Sequence, residues 1–144
     1  MPLGFVCNEG VCPSPLRLAQ LLCCAFFAIL FLQSGADKVI DRKGNVEWLT
    51  AHFARSLVAG QVALMLTIVT VTELLAGSLS AIGLFMLALG GKQTLAVAGI
   101  ALSAVSLLML FLGQRMAKDY AGAAVLASYF TVAMLALFLF HVGA

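Results

Sequence analysis

The sequence predicts an all-α membrane protein, an antiparallel bundle of four transmembrane helices with a short interfacial helix between spans one and two. Two observations predict it. Of 144 residues, 63% are hydrophobic and 10% are charged, against about 45–50% and about 25% in soluble domains, and the mean hydropathy is +1.12. The charges are also clustered, leaving charge-free runs at 18–36, 56–72, 74–91, 93–114 and 120–144, which is the length scale of membrane spans. Such a composition argues against a soluble enzyme. A net charge of +2 divided among loops offers no basic stripe for nucleic acid.

Residues 1–15 read as an extramembrane tail containing Cys7, Cys12 and three prolines, and 16–144 as the four-helix transmembrane domain. The first span is expected near 17–36. Ser34 and Ala36 imitate the small-x-small site of a cleaved signal peptide, but the preceding segment is uncharged to acidic and Arg17 is its only flanking cation, so the helix reads as retained. Asp37, Lys38, Asp41 and Arg42 stand at pairing distance along a helix. Gly44 suits the residue past a helix end, so the helix is expected to reach Lys43.

From Asn45 to Arg55, Val46, Leu49 and Phe53 recur at helical spacing with Trp48 beside them. A short amphipathic helix capped by Asn45 and lying at the membrane surface is expected, serving as an anchor or as a lip over a cavity. Leu57 to Leu89 is then apolar apart from Glu73. At roughly 1.5 Å per residue the segment is about 50 Å long, against about 30 Å of hydrocarbon. No Pro, Asn or Asp interrupts it, so one long helix over 57–89 is predicted, tilted or projecting. Spans near 93–112 and 120–142 complete the four, with Asp119 capping the last.

Lys38, Arg42, Lys43, Arg55, Arg115 and Lys118 fall in the one-two and three-four loops, and Arg17 and Lys92 on the opposite side. The distribution of Lys and Arg places those two loops in the cytoplasm and both termini outside.

Glu73 is the most informative residue. An ionised acid near the bilayer centre costs about 2.5–3.5 kcal/mol on insertion scales, so something must offset it. Its helical stripe holds Thr70, Ala76, Gly77 and Ser80, small and weakly polar, the kind of face that packs on other helices. Gly99 and Ser103 of span three and Ala124 and Ser128 of span four are expected to approach it. The carboxyl is either a proton-sensitive or ligand-facing group in the bundle interior, or a buried acid that fixes helix register.

Span one runs into Gly35-Ala36-Asp37-Lys38, span two carries Glu73 followed by Gly77 and Gly83, and the turn between spans three and four reads Gly113-Gln114-Arg115-Met116-Ala117-Lys118-Asp119-Tyr120. In this order over residues 16–140 the chain resembles the DoxX family of small bacterial four-span membrane proteins. That resemblance marks Arg17, Gly35, Lys38, Glu73 and Gly77, and with Thr70 and Ser80 of the Glu73 stripe these are the candidate binding residues. It implies the bacterial cytoplasmic (inner) membrane and a subunit of a redox assembly, quinone- or thiol-linked, partnered by an oxidoreductase or a larger membrane complex. The sequence itself has no Rossmann glycines, phosphate-binding loop, HExxH or CxxC, so no catalytic residue and no metal site is expected. A quinone is the one cofactor the resemblance implies.

Cys7 and Cys12 lie on the side where a disulfide is permitted, and a bridge, free or partner-linked thiols and a redox pair are all open to them. Adjacent Cys23 and Cys24 read as apolar packing residues. His52 and His141 lack partners at ligand spacing. Arg115, Lys118 and Asp119 read as a solvated turn, or as part of an ionic cluster with Asp37 and Lys38. Phe26, Phe27 and Phe31 lie at helical spacing, as packing residues or as the lining of a quinone slot. Two other functions suit the same residues: a structural accessory subunit of a larger complex, and a small proton-coupled transporter, although the chain has few polar groups along a path and no internal repeat.

Overall fold

The computed structural model describes residues 14–56 and 59–143; the expectation for Cys7 and Cys12 falls outside them. Five α-helices follow in order: α1 Pro15–Ile40, α2 Arg42–His52, α3 Val62–Ala88, α4 Thr94–Met116 and α5 Tyr120–Val142, with one 3₁₀ turn, Ala59–Gln61, leading into α3. Counting that turn with α3, four of the helices are long and apolar enough to cross a membrane. No strand occurs among the described residues.

Local chemistry sets the ends. The Ser14 hydroxyl accepts from Arg17 N at 3.2 Å, and Pro15 occupies the first helical position, where its missing N–H costs nothing. α1 stops at Ile40 and does not reach Lys43. Asp41 leaves the helix at φ −111°, ψ 53°, and its carboxylate accepts from Gly44 N at 3.1 Å, so it ends α1 and caps α2. A short acidic side chain competes well for a free backbone N–H. Gly44 therefore sits inside α2 rather than past the end of α1, close against the Asp41 carboxylate where a Cβ would collide. Asn45 is not the cap; its Nδ2 donates to Asp41 O at 2.8 Å.

The burial pattern is inverted relative to a soluble protein. Glu73, Ser80, Ser103 and Ser106 are fully buried, whereas Leu64, Leu75, Phe85, Leu112 and Phe138 are exposed. Exposed apolar side chains are comfortable only against lipid, so this chain has the build of a multi-pass membrane protein. Phe27, Phe31, Leu87, Ile100, Leu107 and Phe140 make the core, with the Phe27 and Phe31 rings stacked at 6.3 Å.

α3 packs on α1 and α4, and α5 packs chiefly on α4. Small residues set how closely the helices approach. A Cβ on Gly77 would lie 2.8 Å from Leu32 N, and one on Gly99 would lie 2.5 Å from Ser80 N. Where lipid competes for every apolar surface, such close approach supplies the dispersion contacts that hold helices together. Of the residues expected around Glu73, Gly99 and Ser103 are buried at this seam, but Ser128 is exposed and returns its hydroxyl to Ala124 O at 3.3 Å. α5 presents that face outward because its packing partner is mainly α4.

Candidate functional site

Glu73 lies in the middle of α3 with its side chain wholly buried, and Lys38 reaches it from the last turn of α1. Lys38 Nζ stands 2.9 Å from Glu73 Oε2, the two side chains being 17% and 0% exposed. The ammonium also donates to Glu73 Oε1 at 3.2 Å, to Ser34 Oγ at 2.7 Å and to Ser34 O at 3.3 Å. Ser34 Oγ in turn donates to Glu73 Oε1 at 3.2 Å. The contact with Oε2 is an ion pair without a directed hydrogen bond, so the bonding is concentrated on Oε1. An acid that would be costly alone in apolar surroundings is thus offset by a cation and a hydroxyl.

The packing around the pair brings α1 and α3 close. Gly35, beside Ser34, lies against Leu74, where a Cβ would sit 2.7 Å from Leu74 Cδ2, and Gly77, one turn past Glu73, lies against Leu32. Gly35, Lys38, Glu73 and Gly77 therefore come together. Thr70 belongs to the same face but spends its hydroxyl on Leu66 O at 2.6 Å. Ser80 is two turns away, buried against Gly99, and its hydroxyl has no hydrogen-bond partner.

Arg17 does not join them. It starts the helix that Lys38 ends, roughly 30 Å away at about 1.5 Å per residue, and its Nη2 donates to Leu87 O at 2.7 Å. There it is a second donor to a carbonyl at the end of α3 that also accepts from Gly90 N at 3.1 Å. Gln20, next on the same side, donates to Leu139 O at 3.2 Å and so ties α1 to α5.

A cavity of about 100 Å³ opens beside Lys38, and Glu73, wholly enclosed, does not line it. Lys38 forms part of its wall with Leu49 and Phe53, Met65 and Leu66 of α3, and Met109 and Gln114 of α4. Phe26, Phe27 and Phe31 do not line it; Phe27 and Phe31 are spent in the core.

Several partners were not predicted. Ser34, considered only for its resemblance to a cleavage site, bridges the ion pair; its position four residues before Lys38 was the available signal. Arg42 reaches Thr67 Oγ1 at 2.7 Å, so Lys38 and Arg42 both bond α3 rather than Asp37 and Asp41 on their own side of the chain. His52 stacks on Trp48 with centroids 4.9 Å apart, and its Nε2 lies 3.4 Å from Gln114 Oε1. The Arg115 guanidinium covers the Tyr120 ring at 4.9 Å; the alternative cluster with Lys38 does not form, since Lys38 is turned to Glu73. Asp119 caps α5 by accepting from Gly122 N at 2.9 Å. Cys23 and Cys24 are free thiols, Cys24 buried. Among the described residues no three of His, Cys, Asp and Glu gather as metal ligands.

Compared with family models, curated proteins and solved structures, the chain matches none of them.

Proposed function

We propose that this chain is a DoxX-like integral membrane subunit of a quinone- or thiol-linked redox assembly, carrying a lipid-accessible cavity that ends on Lys38, the partner of Glu73. The observation that carries the reading is convergence. Gly35 and Lys38 on α1 and Glu73 and Gly77 on α3, marked by the resemblance from two distant segments, meet around one buried ion pair. Arg17 acts apart, as a brace for the far end of α3.

The membrane arrangement belongs to the same proposal. An antiparallel order of α1, α3 and α4 is supported by Gly35 against Leu74, Leu32 against Gly77, Arg17 on Leu87, and Gly83 against Ala96 where Gly99 meets Ser80. α2, with Trp48 exposed and Leu49 over the cavity, is the interfacial helix. The cationic loops face the cytoplasm, both termini face outside, and the membrane is the bacterial inner membrane.

The space beside Lys38 is about 100 Å³, smaller than the roughly 150 Å³ apolar cavity that accepts a benzene ring, so a quinone ring enters only as the flexible Met65 and Met109 side chains give way, with its tail left in lipid. The Gln114 amide offers a donor to a ring carbonyl, and Lys38, whose three N–H groups are engaged by Glu73 and Ser34, contributes its charge to the wall. Bound there, a quinone supplies two-electron carrier chemistry; the chain's own part is to bind, orient and exclude water.

The test is purification of the full chain in mild detergent, followed by quinone extraction and identification of co-purifying proteins. The reading expects a bound quinone or an oxidoreductase partner, lost on Met109→Trp, which fills the cavity. Recovery of the chain alone, with neither, contradicts it. A structural accessory role is favoured by one observation, the full enclosure of a Glu73 already paired. That role expects Glu73→Gln to assemble normally with the partner's activity unchanged.

A further inference from the structure

The turn between α4 and α5 is closed by a residue in a left-handed backbone conformation. Asp119 N donates to Gln114 O at 2.9 Å and Lys118 N to Arg115 O at 3.2 Å, the paired bonds of a Schellman helix end. The left-handed residue is Lys118, at φ +62°. The turn between α3 and α4 closes the same way, with Gly91 N donating to Met86 O at 2.8 Å and Gly90 N to Leu87 O at 3.1 Å. There the left-handed position holds Gly90, at φ +76°. Glycine takes this conformation freely, while a side chain crowds the following carbonyl. The chain thus uses one backbone device twice, once with the residue that suits it and once with lysine. Among the described residues Lys118 is the only non-glycine with positive φ. Strain of this kind is retained where the side chain has work elsewhere.

Lys118 lines a cavity of about 320 Å³ together with His52, Arg55 and Met116, between the chain leaving α2 and the α4–α5 turn. Arg55 and Lys118 are exposed, and among the described residues neither side chain has a hydrogen-bond or ion-pair partner. The neighbouring acid is already engaged. Asp119 Oδ1 accepts from Gly122 N at 2.9 Å, and Oδ2 lies 4.0 Å from His52 Nε2. A cation near the carbonyl end of α4 is favourable in itself, but Arg115 in the last helical turn already supplies one, so that preference does not require a strained lysine.

We propose that Arg55 and Lys118 form a binding site for a phosphate group, with the phosphodiester headgroup of an anionic membrane lipid as its ligand. The cavity has the volume of ligand sites, about 300 Å³ and upward. It lies where α4 ends and α5 begins, on the side that carries Arg42, Lys43 and Arg115, and basic pockets at such span ends hold lipid phosphates. Arginine offers a fork of donors to phosphate oxygens and lysine a mobile point charge. The inference rests on the chain spanning a membrane and is independent of the redox reading.

The experiment follows thermal unfolding of the full chain in neutral detergent with added phosphatidylglycerol, phosphatidylcholine or inorganic phosphate. Phosphatidylglycerol is expected to raise the Tm in a saturable manner and phosphatidylcholine to leave it unchanged. Lys118→Gly relieves the backbone, so its Tm in detergent alone rises by about 3 °C, while its half-saturation by phosphatidylglycerol weakens about fivefold. Arg55→Gln, at an exposed position, weakens binding similarly with the starting Tm unchanged. If inorganic phosphate alone reproduces the shift, and both variants weaken it, the site stands with soluble phosphate as its source. Equal responses to the two lipids, or wild-type phosphatidylglycerol responses in both variants, overturn the proposal. Absence of quinone or an oxidoreductase with these lipid responses intact counts against the redox reading alone.

Discussion

Lys38 Nζ approaches Glu73 Oε2 to 2.9 Å across the α1–α3 seam, yet the two side chains are unequally enclosed, 17% and 0% exposed. The asymmetry makes their substitutions unequal. Lys38→Met strands an enclosed acid, and losing one partner of a buried pair costs about 3–5 kcal/mol. Glu73→Gln leaves Lys38 still bonded to Ser34 with a route toward solvent along its flexible stem. Its loss is expected at about 1–2 kcal/mol, the scale of a charged hydrogen bond. Unfolding midpoints of the two variants in one detergent check the order; equal losses contradict it.

Gly77→Ala places a methyl 2.8 Å from Leu32 N, and at Gly60 the same change meets nothing within 4 Å. Overpacking a tight seam costs about 1–3 kcal/mol. Gly77→Ala is therefore expected to lower the Tm and Gly60→Ala to leave it within a degree or so. A matched effect at the two glycines speaks against close approach of α1 and α3.

Met109→Trp tests the cavity. Met109 is only partly buried and its side chain borders about 100 Å³ of open space, so the larger ring has somewhere to go. Stability is expected to change by less than about 1.5 kcal/mol, as for well-tolerated core changes, while retention of any ring-bearing apolar ligand falls. Ligand carry-over measured after purification reads the outcome.

Arg17→Met leaves the Leu87 carbonyl at the far end of α3 to Gly90 N alone. A loss of about 1 kcal/mol is expected for one hydrogen bond of this kind. Because Arg17 and Lys38 are roughly 30 Å apart along α1, the Arg17→Met and Lys38→Met losses should add within about 0.5 kcal/mol. Strong coupling between them, measured in the double variant, would place Arg17 in the Lys38 site after all.

The spans and the buried acid were legible because both are signals within one segment. Charge-free length gave the helices, and a carboxyl alone in an apolar run required an inward face. The pairing of Lys38 with Glu73 was not legible in the same way, since it depends on how α1 is set against α3, and only the resemblance put the two residues in one group. The bond between Ser34 and Glu73 and the approach of His52 to Gln114 depend on such settings too. At Asp41 the fault was different: Gly44 suits both the end of a helix and its first turn, and the acidic side chain three residues earlier decided for the second. The Lys118 conformation carries no sequence signal, because glycine is the residue that announces that position.

A double-mutant cycle on Lys38 and Glu73 reads the ion pair inside the helical bundle most directly. Lys38→Met, Glu73→Gln and the double variant are unfolded in the same detergent. The ion pair predicts a coupling energy above about 1 kcal/mol, with the double variant more stable than Lys38→Met alone. Losses that simply add, within about 0.5 kcal/mol, would contradict it.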